Sequence, residues 1–562
     1  MSEITVGNYL FNRIKQVGVD SIFGLPGDFN LALLDKIYEV PGLRWVGNTN
    51  ELNAGYAADG YSRINGLSVL ITTFGVGELS TLNAIAGAYA EHVGLVHIVG
   101  VPATSSQQKH LLLHHTLGNG DFHVFDRMSA GISEKVYLLT ENKDIPALID
   151  DAIHTAKLKQ RPVYIAIPTN VGELKVPKSK LDTPIDFSLP PNDPEAELEA
   201  LEEVEKSIAA AKNPIILVDA CAYRHGAVEE TNALAKLTKF PVFTTPMGKS
   251  VIDEDYERYG GVYVGSLSSP EVFKAVEAAD LILSVGALLS DFNTGSFTYS
   301  YKTKNIIEFH SNYIQIRRAT YENVSMKPLL AKLVSQLTPP DLPLAPVPKL
   351  AREPAEPATE TPLTHKYLWP RISGFLQSGD IIITETGTSS FGVTSIVYPA
   401  KVNGISQVLW GSIGYSVGCA LGAALAAQEL DPSRRVLLFV GDGSLQLTLT
   451  AISTMVRWKT NPYLFVLNND GYTIERLIHG PESSYNDIKS WDHQLILPLF
   501  KADPETSESI VVKTKKDLDT LFTDEKFKVP NKIRLIELML DRLDAPESLY
   551  KQGELTSKTN AS

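Results

Sequence analysis

Seven short runs rich in Val, Ile and Leu mark this chain: residues 68–74 (SVLITTF), 95–99 (LVHIV), 214–218 (PIILV), 281–285 (LILSV), 381–384 (IIIT), 436–440 (VLLFV) and 463–467 (YLFVL). Longer stretches of helical periodicity separate them. Apolar runs without polar alternation, joined by helices, predict parallel sheets covered on both faces. Two Pro-rich stretches, residues 176–194 and 339–362, lack either periodicity and read as extended linkers. The expected organisation is three doubly wound α/β domains: 1–182, 183–345 and 346–562, the last with a C-terminal tail. The first and third share an order of elements. In each, a helix rich in Ala and Gly leads to a strand, a short glycine turn, a helix and another strand. The turn is Gly75-Val76-Gly77 in the first and Gly441-Asp442-Gly443 in the third, so only the third carries a carboxylate. The expectation is two lobes of one architecture.

Composition narrows the function. The 562 residues are 44% hydrophobic and 21% charged, as in ordinary globular chains. With 51 Lys+Arg against 65 Asp+Glu, the formal charge of −14 disfavours nucleic acid as a partner. Two cysteines, Cys221 and Cys419, are too few for a disulfide framework or a thiolate zinc site. The N-terminal residues carry no basic-then-apolar leader pattern, and the expected location is cytoplasmic. Residues 403–428 contain no charge and a Gly414, Gly418, Gly422 ladder, but their polar residues favour a helix buried in the protein over a membrane span.

Candidate chemistry gathers in the third block. Gly441-Asp442-Gly443-Ser444 follows a strand and opens a helix, where backbone N–H groups receive a diphosphate. Asp442 repels phosphate and makes sense as ligand to a divalent cation that bridges it. One strand–helix–strand unit later comes Asn468-Asn469-Asp470-Gly471-Tyr472. Loops at the carboxyl ends of neighbouring parallel strands lie side by side, so Asp442 and Asn469 are placed to share Mg²⁺. No Walker motif is present, and no GxGxxG follows the strand ends considered.

GDGS followed by NNDGYTIERLIHG, with Glu51 in TNELNAGYAADGYSR, resembles the thiamine diphosphate-dependent 2-oxo acid decarboxylase family. FGLPGDFN, HHTLGNGDF, SDFNTGSF, ETGTSSFG and LWGSIGYS extend the likeness over nearly the whole chain, most specifically to its yeast-type pyruvate-cleaving branch. Acetohydroxyacid synthases share the metal motif but usually lack the paired histidines and the GYTIE glutamate. The resemblance implies thiamine diphosphate and Mg²⁺ as cofactors, a small 2-oxo acid as substrate, and release of CO₂ and an aldehyde through the cofactor's ylide. It implies that Glu51 serves the aminopyrimidine ring, that the Gly411 carbonyl accepts from its amino group, and that Ile413 supports the bent cofactor. Thr388, Gly443 and Ser444 then bind the diphosphate, Thr473 and Ile474 complete the cofactor site, and Asp442, Asn469 and the Gly471 carbonyl coordinate the metal. Asp28, His114, His115 and Glu475 match the proton-handling group. Two adjacent histidines reach one site only from a turn.

By the same resemblance Phe292, Thr386, Ser390, Ile474 and Ile478 wall the substrate pocket. They lead to an expectation of little room beyond a methyl or short alkyl group. Cys221 matches a residue implicated in substrate activation, with His92 and Trp410 on a route to the active site. The active site is expected to need a homodimer, paired into a homotetramer. Thr450-Ala451 stands where the family often has Gln-Glu, an expected change near the cofactor lobe. The alternatives are a decarboxylase of larger acids such as phenylpyruvate or indolepyruvate, and a thiamine-binding regulatory paralogue.

Overall fold

The computed structural model describes residues 2–561. Three large sheets organise it. The first holds Ser21–Gly24, Arg44–Gly47, Ser68–Thr73, Leu95–Val101, Val136–Leu138 and Pro162–Pro168. The third holds Ile381–Thr384, Asn403–Ser406, Val436–Gly441, Tyr463–Asn468, Ser507–Val512 and Ile533–Met539. Counted in chain order, both run 2-1-3-4-6-5, and every pairing within them is parallel. The faint repeat is thus a repeat of topology. In each sheet the strand order reverses between the first and third strands, the place where open α/β sheets leave a crevice.

The middle sheet differs. Its strands run 3-2-1-4-5-6-7, parallel from Tyr259–Val262 to Ile306–Phe309, then closing with antiparallel Tyr313–Ile316 and Ala319–Glu322. The doubly wound description therefore holds for its parallel part and not for that edge. The first Pro-rich stretch is also more ordered than expected. Lys175–Pro177 pairs antiparallel with Glu3–Thr5, and Lys178–Asp182 forms a 3-10 helix.

The uncharged stretch resolves into the strand Asn403–Ser406 and the helix Tyr415–Leu430. This helix lies against Glu51–Asn65 and joins the first and third sheets into one core. Glycine sets the approach: a Cβ at Gly422 would stand 1.7 Å from the Ala57 carbonyl oxygen, and one at Gly60 2.1 Å from that of Cys419. No described helix is long and apolar enough to cross a membrane.

Candidate active site

At the carboxyl end of the third sheet, neighbouring strands deliver their loops to one crevice. Gly441 pairs with Leu467, so Asp442 and Asn469 emerge side by side. The helices Thr388–Gly392 and Asp442–Thr448 both begin here, aiming N–H groups into a cavity of about 260 Å³ lined by Thr388, Gly443, Ser444, Asn469, Gly471 and Thr473. Asp442 is buried, and burial pushes its carboxyl up to about 6 although Gly443 and Gly471 N–H groups donate to it at 2.9 and 3.2 Å.

The Asn469 carbonyl oxygen faces Asp442 Oδ1 at 3.1 Å and the Gly471 carbonyl oxygen at 2.9 Å. Three acceptors thus converge with no proton between them. Turning the amide over would place a donor there instead. The present orientation puts the amide nitrogen 2.9 Å from Thr473 Oγ1, whose own proton goes to the Arg542 carbonyl at 2.9 Å, so a lone pair of that hydroxyl can face the nitrogen.

A second cavity, of about 320 Å³, adjoins the first and shares Thr386, Ile413, Ile474 and Glu475 with it. Phe292, Ser390 and Ile478 also line it, as does Gly411, so the five expected pocket residues stand together. Ile474 and Ile478 lie on the helix Thr473–Ile478, one turn apart. The wall continues to Val264, Leu267 and Phe391. Bulky side chains therefore wall it, and this volume is shared between the substrate and whatever projects into it from the first cavity.

The other candidate residues cluster at the carboxyl end of the first sheet. Asp28 Oδ2 and His114 Nε2 are 2.7 Å apart, and His114 stacks on Phe29 at 4.9 Å between centroids. His114 and His115 occupy a turn, with ring centroids 4.6 Å apart. Glu51 opens the helix Glu51–Asn65, half-buried, with its carboxyl raised by burial. The Gly75–Gly77 turn fits between these groups. A Cβ on Gly75 would meet the His115 carbonyl oxygen at 2.4 Å, and one on Gly77 would stand 3.2 Å from Glu51 Oε1. The turn that holds a carboxylate in the third domain is here a spacer between two candidate catalytic groups. Neither cavity is lined by Asp28, Glu51, His114 or His115. Within one chain the candidate residues therefore fall into two separate groups.

Models of the thiamine pyrophosphate enzymes match three segments: the N-terminal TPP binding domain at residues 4–125, the central domain at 201–337 and the C-terminal TPP binding domain at 386–502. The chain belongs to the thiamine pyrophosphate enzymes. Over their full lengths and its own, it is 60% identical to a pyruvate decarboxylase of Kluyveromyces marxianus, 61% to one of Candida glabrata and 59% to isozyme 1 of Saccharomyces cerevisiae. A solved structure of a putative thiamin diphosphate-dependent enzyme from Mycobacterium smegmatis superposes with TM-score 0.76 at 20% identity, covering 96% of this chain and 99% of that one. That likeness speaks to the fold.

The residues fit the cofactors of a thiamine pyrophosphate enzyme. Octahedral Mg²⁺ with bonds of about 2.0–2.1 Å sets neighbouring ligand oxygens about 3.0 Å apart. The Asn469 side-chain amide stands at that spacing from both Asp442 Oδ1 and the Gly471 carbonyl oxygen, and with its oxygen on that side a cation would remove the mutual repulsion. Thr388, Gly443 and Ser444 face the same cavity with the hydroxyl and N–H donors that a diphosphate needs.

Two contributors escaped the sequence reading. Arg476, buried beside Glu475, donates to the Asp470 carbonyl at 2.6 Å and to that of Asn469 at 3.4 Å, clamping the metal loop from behind. Glu385 is buried and accepts four hydrogen bonds, one of them from the N–H of Gly414 next to Ile413. Its position at a strand end, directly before Thr386-Gly387-Thr388, was the available signal. Thr450 lies beside the start of the Glu51–Asn65 helix. Its Oγ1 lies 2.9 Å from that of Thr49 and 3.0 Å from Asn53 Nδ2, so it joins the first and third domains instead of lining either cavity.

Proposed function

We propose that this chain cleaves pyruvate non-oxidatively to acetaldehyde and CO₂, using thiamine diphosphate and Mg²⁺. The observation that carries the reading is the meeting of the two cavities at Glu475 and Ile413. A group held by its diphosphate in one presents its far end to the apolar other. Bound there, thiamine diphosphate supplies a carbon nucleophile and an electron sink for the bond to CO₂. The protein positions it and handles protons. Glu51, raised by burial, exchanges a proton at its carboxylate. Asp28 Oδ2 holds His114 Nε2, so the proton this ring passes on is carried at Nδ1. Glu475 brings a carboxyl to the pocket mouth. The domain limits 1–182, 183–345 and 346–562 are part of this proposal, supported by one large sheet in each.

Two copies are needed. In one chain the Asp28 and His114 side chains are 51% and 56% exposed, too wet for proton transfer with controlled direction. Exposed Val76, Leu79, Leu111 and Leu112 lie near them in sequence, and Leu409, Trp410 and Leu447 near the diphosphate half. Joining the two halves across a homodimer would cover such surfaces. Assembly to a homotetramer is proposed on family resemblance alone. A cytoplasmic location fits the two buried, unpaired cysteines.

The test is kcat/KM for pyruvate, 2-oxobutanoate, 2-oxoisovalerate and phenylpyruvate with protein reconstituted in both cofactors. Pyruvate is expected to lead, with 2-oxobutanoate close behind, because an apolar pocket discriminates by only about 1–3 kcal/mol per methylene. Preference for phenylpyruvate would instead establish a decarboxylase of larger acids. Ile474→Ala should shift relative kcat/KM towards the longer acids and cost some pyruvate activity. An unchanged ratio would remove Ile474 from the pocket wall.

We also propose a regulatory role for Cys221. Its sulfur lies among His92 and His225, with ligand atoms within 4.8 Å of one another, and the neighbouring Glu91 accepts from the backbone N–H groups of Leu409 and Trp410 at 2.7 and 3.2 Å. Burial raises the thiol to about 12 and lowers His92 to about 3, so both rest neutral near pH 7. Such a thiol is a poor nucleophile until its surroundings open. Cys221→Ser should shorten the lag in progress curves and reduce sigmoidicity. An unaltered lag and Hill coefficient would leave Cys221 a core residue.

A further inference from the structure

Glu385 is buried, and its carboxyl accepts hydrogen bonds from Ser416, Gly414 and Thr386. Oε1 accepts from the N–H of Thr386 at 3.0 Å and of Gly414 at 3.2 Å. Oε2 accepts from the N–H of Ser416 at 3.2 Å and from its hydroxyl at 2.5 Å. Removing a charge from water is costly, and a buried glutamate with no cation against it is uncommon. Burial raises its pKa to about 7, so this site is expensive to maintain.

The three residues it binds belong to two segments of the cofactor site. Thr386 leads into the helix Thr388–Gly392, whose N-terminus faces the phosphate cavity, and that helix is tied back by Ser390 N–H and Ser389 Oγ donating to the Glu385 carbonyl at 3.2 and 2.9 Å. Gly414 and Ser416 flank the turn after Ile413, which borders both cavities. The Gly414 carbonyl in turn accepts from Thr448 Oγ1 at 2.6 Å, at the end of the helix that carries Ser444. One carboxylate therefore fixes the spacing between Ile413 and the diphosphate-binding helices.

Resting on the function proposed above, we infer that Glu385 is a positioning residue for the cofactor, locking Ile413 at a set distance from Thr388 and Ser444. Glu385→Gln keeps the shape but turns an NH₂ towards N–H donors, which leaves buried groups unpaired. The turn carrying Ile413 should loosen while the phosphate helices keep their N–H groups.

The experiment is calorimetric titration of stripped protein with thiamine diphosphate and, separately, with inorganic pyrophosphate, both with Mg²⁺. Glu385→Gln should weaken the cofactor at least about tenfold and pyrophosphate less than about threefold. Combined with Ile413→Ala, it should add little to the loss from Ile413→Ala alone, because both act through one contact. Should Glu385→Gln not fold, Ser416→Ala removes one donor of the four and should shift cofactor affinity the same way by a smaller factor, leaving pyrophosphate unchanged. Equal weakening of both ligands, full additivity with Ile413→Ala, or unaltered cofactor affinity overturns the inference. Failure of the unsubstituted protein to bind thiamine diphosphate is a different result and overturns the proposed function itself.

Discussion

Glu51→Gln should lower turnover at least about 10²-fold, the lower range for loss of acid–base assistance, and leave cofactor and metal affinity nearly unchanged. The substitution keeps the side chain's size, so the helix start at Asn50 and the close fit against Gly77 survive. It removes a group that can take and return a proton. Burial raises this carboxyl from its ordinary range, which brings its proton exchange closer to neutral pH. The proposed diphosphate and metal residues lie in the third domain and are untouched. Hydrogen–deuterium exchange at the thiazolium carbon of bound cofactor, followed by NMR, separates this from a binding defect. Exchange at the unsubstituted rate in the variant takes Glu51 out of its assigned role.

Asp442→Ala should lower Mg²⁺ affinity by more than about 100-fold, above the range for losing a group that merely supports a ligand, and release thiamine diphosphate with it. Asp442 contributes one of three converging oxygens and the only full charge among them. Without it the Asn469 amide is free to turn and donate elsewhere. Calorimetric titration with Mg²⁺ and cofactor reads both losses. Chelated, dialysed protein that stays fully active without added Mg²⁺ would contradict the assignment. The same variant examines the dimer. Asp442→Ala and Glu51→Gln chains, each inactive alone, should recover about a quarter of the unsubstituted activity when dissociated, mixed in equal amounts and reassociated. Half of the random pairs are mixed, and each mixed pair contains one intact site of two. No recovery in reassociated mixed pairs would mean that each site is built within one chain.

The sheets were legible because their strands are buried on both faces, so 381–384 and 281–285 carry apolar residues without alternation. The metal motif was legible for a related reason: Asp442 and Asn469 follow strands that pair, and sequence spacing encodes that adjacency. Lys175–Pro177 was read as linker because three residues in an exposed–buried–exposed pattern are too short to show a period. The antiparallel edge strands of the middle sheet are only four residues each. Glu385 and Arg476 escaped because their roles depend on where backbone N–H and carbonyl groups converge, which no spacing rule reports. Thr450 was judged by its neighbours in sequence, while its hydroxyl meets Thr49 and Asn53 from the far end of the chain.

The central claim is that this chain releases CO₂ and acetaldehyde from pyruvate in a reaction that needs both cofactors. The direct measurement is the yield of each product from stripped protein given pyruvate, alone, with Mg²⁺, with thiamine diphosphate, and with both. The account predicts equal amounts of CO₂ and acetaldehyde with both cofactors and neither product when one is withheld. CO₂ without aldehyde, or no products with both cofactors present, would contradict it.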